Sequence, residues 1–283
     1  MIKLNSPIAD VFVPDGLEPA AALERTTHLC ISAHQDDIEI MAYHGVAECF
    51  GRADRWFTGV VVTNGAGSPR SGIYGQYTDD QMQEVRVREQ RKAAYVGEYS
   101  CQIQLRYPSA AVKDPARADL REDLTAILRA AKPKVIYLHN LADKHDTHVG
   151  TALRTISALR SLLPEYRPEK VYGCEVWRGL DWLVDDQKTS LPVSAYVNIG
   201  NALVSVFDSQ VGGGKRYDLA TTGRRVANAT YFASHGVDEE SALTYAMDLT
   251  PLIDDPKLPP EKYVLGFVEQ LRSDIENRLK KLG

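Results

Sequence analysis

The sequence predicts an α/β protein built on a mostly parallel sheet. Short, apolar, strand-like runs alternate with longer stretches of helical period through residue 175, the signature of βαβ units. Two clusters of histidine and carboxylate lie just after two of those runs, where an open α/β sheet binds ligands. The 283 residues, 44% hydrophobic and 25% charged, are ordinary for a globular chain and enough for a sizeable core.

Residues 28–32 read as a buried strand, because Leu29, Cys30 and Ile31 run without a charge. Ile38, Met41, Ala42, Gly45 and Cys49 then recur at helical spacing. Residues 56–63 form the next strand around the β-branched Val60, Val61 and Val62, and residues 64–80, rich in Gly, Ser and Tyr, a loop. Residues 81–96 are helical and 101–105 a short strand. Residues 117–131 are helical and 134–139 a strand, and Val149, Ala152, Leu153, Ile156, Leu159 and Leu163 mark the helix that follows. Residues 170–175 form another strand. After Glu175 the pattern loosens: 194–199 reads as a late strand, 217–232 as a helix, Gly212-Gly213-Gly214 as a flexible loop, 251–260 as a Pro- and Asp-rich connector and 261–282 as a closing amphipathic helix. No repeat or linker divides the chain. One domain over residues 1–283 is expected, with 176–283 a less regular extension contributing to the substrate pocket.

A formal net charge of -5 argues against general binding to nucleic acid or to an anionic membrane. No run approaches the roughly 18–20 apolar residues of a membrane span, and residues 1–19 lack the charged start and apolar stretch of a secretory signal. Cys30, Cys49, Cys101 and Cys174 have no close pairing and read as buried free thiols. A cytoplasmic location is expected, and a homo-oligomer is left open.

The chemistry sits in His34-Gln35-Asp36-Asp37, after the strand at 28–32, and in Asp143-Lys144-His145-Asp146-Thr147-His148, after the strand at 134–139. A catalytic zinc typically takes three protein ligands and keeps one position for water, and His34, Asp37 and His148 could supply them. The metal lowers the pKa of its water toward about 7, and Asp36 could take the proton as general base. A protonated His145 could stabilise the charge that grows on an attacked carbonyl oxygen, held charged by Asp143 or Asp146. One Zn2+ per chain suits this set, though another divalent transition metal fits it too. The competing reading is capping: Asp36, Asp37, Asp146 and Thr147 are types favoured at helix N-termini. Two independent clusters at two strand ends favour a metal-assisted hydrolase.

Other residues carry weaker signals. Glu89 interrupts the apolar stripe of Met82, Val85, Ala93 and Val96, so it needs a partner, and Arg86 is one turn away. Arg70 and Tyr74, in the loop, could touch a sugar or simply lie on the surface. His139 reads as a satisfied core histidine before it reads as a ligand. Trp177 and Trp182 could stack on a sugar or belong to the core. His44 and His235 receive no role.

The run Ser32-Ala33-His34-Gln35-Asp36-Asp37-Ile38-Glu39, after an apolar strand, resembles the AHPDD signature of the PIG-L/LmbE family of zinc-dependent N-deacetylases, and the second cluster resembles its DxHxDH signature. Thr63-Asn64-Gly65 is similar to the family's TDG turn, Arg86 and Glu89 to its RxxE helix, and Ser209-Gln210 to a dipeptide of its C-terminal part. The resemblance spans roughly residues 25 to 175. It implies a Rossmann-like fold with helices on both faces, and removal of an acetyl group from an N-acetylated amino sugar or related glycoconjugate. It also implies metal ligation by His34, Asp37 and His148, Asp36 as base and His145 as oxyanion stabiliser. Asp143, Asp146, Asn64, Arg70 and Arg86 would support these residues or touch substrate. Gln35 stands in place of the usual Pro, Asn64 in place of Asp, and Asp146-Thr147 in place of Pro-Asp, which could alter the surroundings of His148 or the orientation of His145. The alternatives are an amidase for a larger thiol or acyl conjugate, and a non-catalytic sugar- or nucleotide-binding α/β protein. Against the dinucleotide version, no GxGxxG follows the first strand.

Overall fold

The computed structural model describes residues 2–283. Its strands are β1 (Asp10–Phe12), β2 (His28–Ser32), β3 (Phe57–Thr63), β4 (Cys101–Tyr107), β5 (Val135–His139), β6 (Lys170–Cys174), β7 (Thr189–Pro192) and β8 (Leu243–Asp248). They form one eight-stranded sheet in the order β1-β4-β3-β2-β5-β6-β8-β7. Strands β2 to β6 pair parallel. The two edges are antiparallel additions, β1 on β4, and β8 on β6 with β7 outside it.

The helices up to the middle of the chain are α1 (Pro19–Glu24), α2 (Asp37–Met41), α3 (Tyr43–Cys49), α4 (Asp79–Val96), α5 (Ser109–Lys113), α6 (Ala118–Ala131) and α7 (Asp146–Arg160). After them come α8 (Val197–Ser205), α9 (Asp208–Val211), α10 (Tyr217–Thr230), α11 (Pro251–Asp254) and α12 (Pro260–Leu282). Among the described residues, no helix is long and apolar enough to cross a membrane. Both faces of the sheet are covered, which is why its central strands are apolar throughout rather than alternating. Leu29, Ile31, Val60, Val62, Ile136 and Leu138 join α1, α6 and α7 in one core. Their sequence neighbours Cys30, Val61 and Tyr137 join α2, α3 and α4 in the other. All four cysteines are free and buried in these layers.

From β2 the chain winds outward through β3 and β4, then returns to place β5 on the other side of β2. The carboxyl ends of β2 and β5 therefore flank the point where the winding reverses, the standard ligand crevice of such sheets.

The structure corrects the expected late strand at 194–199. The strand there is β7, a few residues earlier, and Tyr196 takes a left-handed φ of 51° that turns the chain into α8. A short apolar run does not by itself distinguish strand from helix. β8 was not foreseen, nor was β1. α4 starts before the expected residue 81 because Thr78 and Gln81 exchange the two hydrogen bonds of a capping box. The connector at 251–260 holds the short α11.

Candidate metal centre

The turn from β2 into α2 carries the first cluster. Asp36 adopts φ of 88°, rare for a residue with a side chain, and its amide donates to Gln90 Oε1 at 3.4 Å. Neither carboxylate is used as a cap. Asp36 makes no capping hydrogen bond, and Asp37 Oδ2 accepts the amide of His34 at 2.7 Å. Gln35 turns the other way, into a buried polar layer, where its Nε2 donates to Thr63 O at 3.3 Å and Gln104 Oε1 at 3.2 Å.

Three donor atoms from the two clusters meet. His34 Nδ1 lies 3.2 Å from Asp37 Oδ2 and 3.2 Å from His148 Nε2, and His148 Nε2 lies 3.4 Å from Asp37 Oδ2. A tetrahedral zinc with bonds of about 2.0–2.1 Å needs donors about 3.3 Å apart, so the triangle fits that ion. Asp143 stands behind His148, its Oδ2 3.4 Å from Nδ1. Donation of the Nδ1 proton to a carboxylate leaves the Nε2 lone pair facing the other two donors. Asp143 also accepts the amides of His145 and Trp177, each at 3.1 Å.

The expectation that Asp143 or Asp146 holds a charged His145 is corrected. Asp143 serves the His148 ring, and Asp146 is exposed in the first turn of α7. His145 itself is the N-cap of α7, its Nδ1 accepting the Thr147 amide at 3.3 Å. A nitrogen that accepts cannot carry a proton, so Nε2 is the N–H of a neutral ring. Burial, followed by the neighbouring His148 and His34, holds its pKa below the ordinary histidine value. His145 thus presents a neutral donor in place of the protonated one expected.

His139 is fully buried, and its Nε2 accepts the Ala33 amide at 2.9 Å. With that lone pair engaged, it forms the wall on which His148 stacks, with ring centroids 3.9 Å apart. His139 also lies close enough to Asp37 and His148 to make a second donor cluster with them, and His34, His145 and His148 make another. The amide hydrogen bond favours the core role for His139.

The electrostatics separate the two adjacent aspartates. Burial would raise the Asp37 carboxyl, but His148, His139 and His34 outweigh it and hold it well below the usual carboxylate range. Burial pushes Asp36 up to about 7, against the opposing charge of Arg86 and with the help of Asp37. Arg86 is buried, with Nη2 3.2 Å from Asp36 Oδ2 and donating to Gln35 O. Its pairing with Glu89 is loose, at 4.0 Å. Ser209 fills the gap, donating to Glu89 from its amide at 2.7 Å and hydroxyl at 2.6 Å, and accepting from Arg86 Nη1 at 3.3 Å.

A cavity of about 420 Å³ opens over this group, walled by His34, Asp36, Asp37, Arg86, His145, Thr147 and Trp177. Arg70 and Asn64 do not line it. Arg70 ties its own loop together through Ala66 O and Tyr77 O, and Asn64 Oδ1 accepts the Ala66 amide. Tyr74 donates to Asp208, His44 pairs with the Tyr137 hydroxyl, Trp182 packs on a core layer, and His235 is exposed. Lys113, Gln210, Lys215 and Tyr217 also line the cavity. Of these, only Gln210 had a sequence signal, and its partner Ser209 proves to be the bridge behind Asp36.

Residues 29–159 match the family model described as PIG-L: GlcNAc-PI de-N-acetylase. No curated protein matches the chain. Among solved structures, the conserved protein TT1542 from Thermus thermophilus is similar at TM-score 0.60 and 18% identity, over 83% of this chain and 99% of that one. GalB, the 4-carboxy-2-hydroxymuconate hydratase of Pseudomonas putida, is similar at TM-score 0.59 and 18% identity, over 79% and 96%. The N,N'-diacetylchitobiose deacetylase of Pyrococcus horikoshii is similar at TM-score 0.59 and 15% identity, over 78% and 83%. At these identities the likeness is one of fold.

Proposed function

We propose that this chain, which carries a PIG-L family domain over residues 29–159, is a metal-dependent hydrolase that removes the acetyl group from an N-acetylated amino sugar or related glycoconjugate. The observation that carries the reading is the triangle of His34, Asp37 and His148 donors, 3.2 to 3.4 Å apart, beside an acid not used in it. The family's description and the deacetylase among the similar structures support the choice of amide.

A zinc held by these three residues supplies Lewis acidity and a water acidified toward pKa of about 7. Asp36, pushed up to about 7 by burial, would accept a proton from the water that adds to the acetyl carbonyl. The Nε2–H of His145 donates to the carbonyl oxygen as its charge grows. When the C–N bond breaks, the proton on Asp36 passes to the departing nitrogen, leaving acetate and a free amine. Arg86 and Gln90 hold Asp36 in its strained turn.

Because a hydratase shares the fold, the test reads the products. Purified protein is expected to hold about one zinc per chain, largely lost in His148→Ala, and to release amine from N,N'-diacetylchitobiose or N-acetylglucosamine. Asp36→Asn should keep the metal and lose about 10²- to 10⁴-fold in rate. Full activity in Asp36→Asn would overturn the mechanism.

A further inference from the structure

The cavity carries charge that amide hydrolysis does not use. Arg86, Lys113 and Lys215 line it, and the carboxylates lining it are Asp36 and Asp37. Arg86 is engaged by Asp36, and Asp37 is enclosed by His34 and His148. That leaves Lys113 and Lys215 facing the cavity with no acidic side chain of its lining to neutralise them. Lys113 comes from the end of α5, and Ser109, one turn earlier on the same helix, lines the cavity with it. Lys215 comes from the loop between α9 and α10, with its Nζ 5.1 Å from the Trp177 ring centroid. Lys144 Nζ lies 5.9 Å from the same ring. In a chain of net charge -5, two such lysines on one cavity, with a third beside its Trp177 wall, run against the overall balance, and such a focus of charge attracts anions.

We propose that the substrate carries an anionic group, a carboxylate or a phosphate, seated at Lys113 and Lys215 while its amide reaches His34, Asp37 and His148. The placing of the amide rests on the hydrolase reading above, but the anion subsite does not. Lysine suits either anion as a compact point charge, and Ser109 adds a hydroxyl donor. A metal held by His34, Asp37 and His148 would add positive charge to the same cavity.

The test uses zinc-loaded full-length protein carrying Asp36→Asn, so that sugars stay intact, titrated calorimetrically with N-acetylglucosamine, its 6-phosphate and N-acetylmuramic acid. At least one charged sugar should bind about ten-fold or more tightly than the neutral one, with the difference shrinking as salt rises. The 6-phosphate leading identifies phosphate as the anion, and N-acetylmuramic acid leading identifies carboxylate. Adding Lys113→Gln and Lys215→Gln together should bring the ratio of charged to neutral affinity close to one, whereas Lys113→Arg with Lys215→Arg should preserve it. Equal affinity for the three sugars, no binding of any, or a ratio that survives the double glutamine change overturns the proposal. Amine release by the wild type is scored separately. Selective binding without amine release from any sugar keeps the anion subsite and removes the deacetylase reading, and amine release without selectivity does the reverse.

Discussion

Asp143 shows how much a single carboxylate's partner matters. By position it could serve either histidine of its cluster, and the fold assigns its Oδ2 to His148 Nδ1 at 3.4 Å. Removing that charge frees the imidazole to adopt the other tautomer. Asp143→Asn should therefore weaken metal binding about 10- to 100-fold, measured by competition with a chelator. Arg86 acts on Asp36 in the same indirect way. Its positive charge favours the carboxylate, so Arg86→Gln should raise the Asp36 pKa. The base form then appears at higher pH, and the acid limb of kcat/KM should move upward. An unmoved limb would separate Arg86 from the base. The juxtaposition of His34, Asp37 and His148 follows from their positions at two strand ends. The tautomer of His145 does not, because it depends on one backbone amide, that of Thr147.

At the scale of elements, the close approach of α5 to α7 fixes where Lys113 and Ser109 sit relative to His145. Gly150 permits it, since a Cβ there would lie 2.8 Å from Val112 O, a backbone atom that cannot swing away. Gly150→Val should cost about 1–3 kcal/mol through overpacking and lower the melting temperature. Unchanged stability would mean that the two helices separate freely. The regular βαβ stretch was legible because strand and helix differ there in length and period. After Glu175 the helices expected at 217–232 and 261–282 were legible too, as α10 and α12, but the edge strands were not. β7 has 4 residues and β8 has 6; β8 forms between β6 and β7, and β7 forms on β8 alone.

At the scale of the molecule, burial sets the response to acid. His28, at the start of β2, is driven down to about 4 by burial, with His44 acting in the same direction. The unfolded chain takes up this proton near 6.5, the folded chain only near 4. The contribution is thus complete above about 6.5 and is lost as pH falls toward 4. Melting temperature should drop over that window, and His28→Gln should flatten the drop. A profile unchanged in that variant would place the acid sensitivity elsewhere.

Periodicity and the two histidine–carboxylate clusters determined an α/β sheet and the strand ends where chemistry belongs, because both signals are local, written by residues close together in the chain. What only the tertiary structure decided is everything that depends on residues far apart in the chain. β1 and the β7–β8 edge exist through pairing. Ser209 lies 120 residues from the Glu89 it binds. Lys113 and Lys215 share a cavity though no spacing links them. Local sequence sets which conformations are cheap, while the contacts that select a partner, a tautomer or a neighbouring charge form only once the sheet has closed its order.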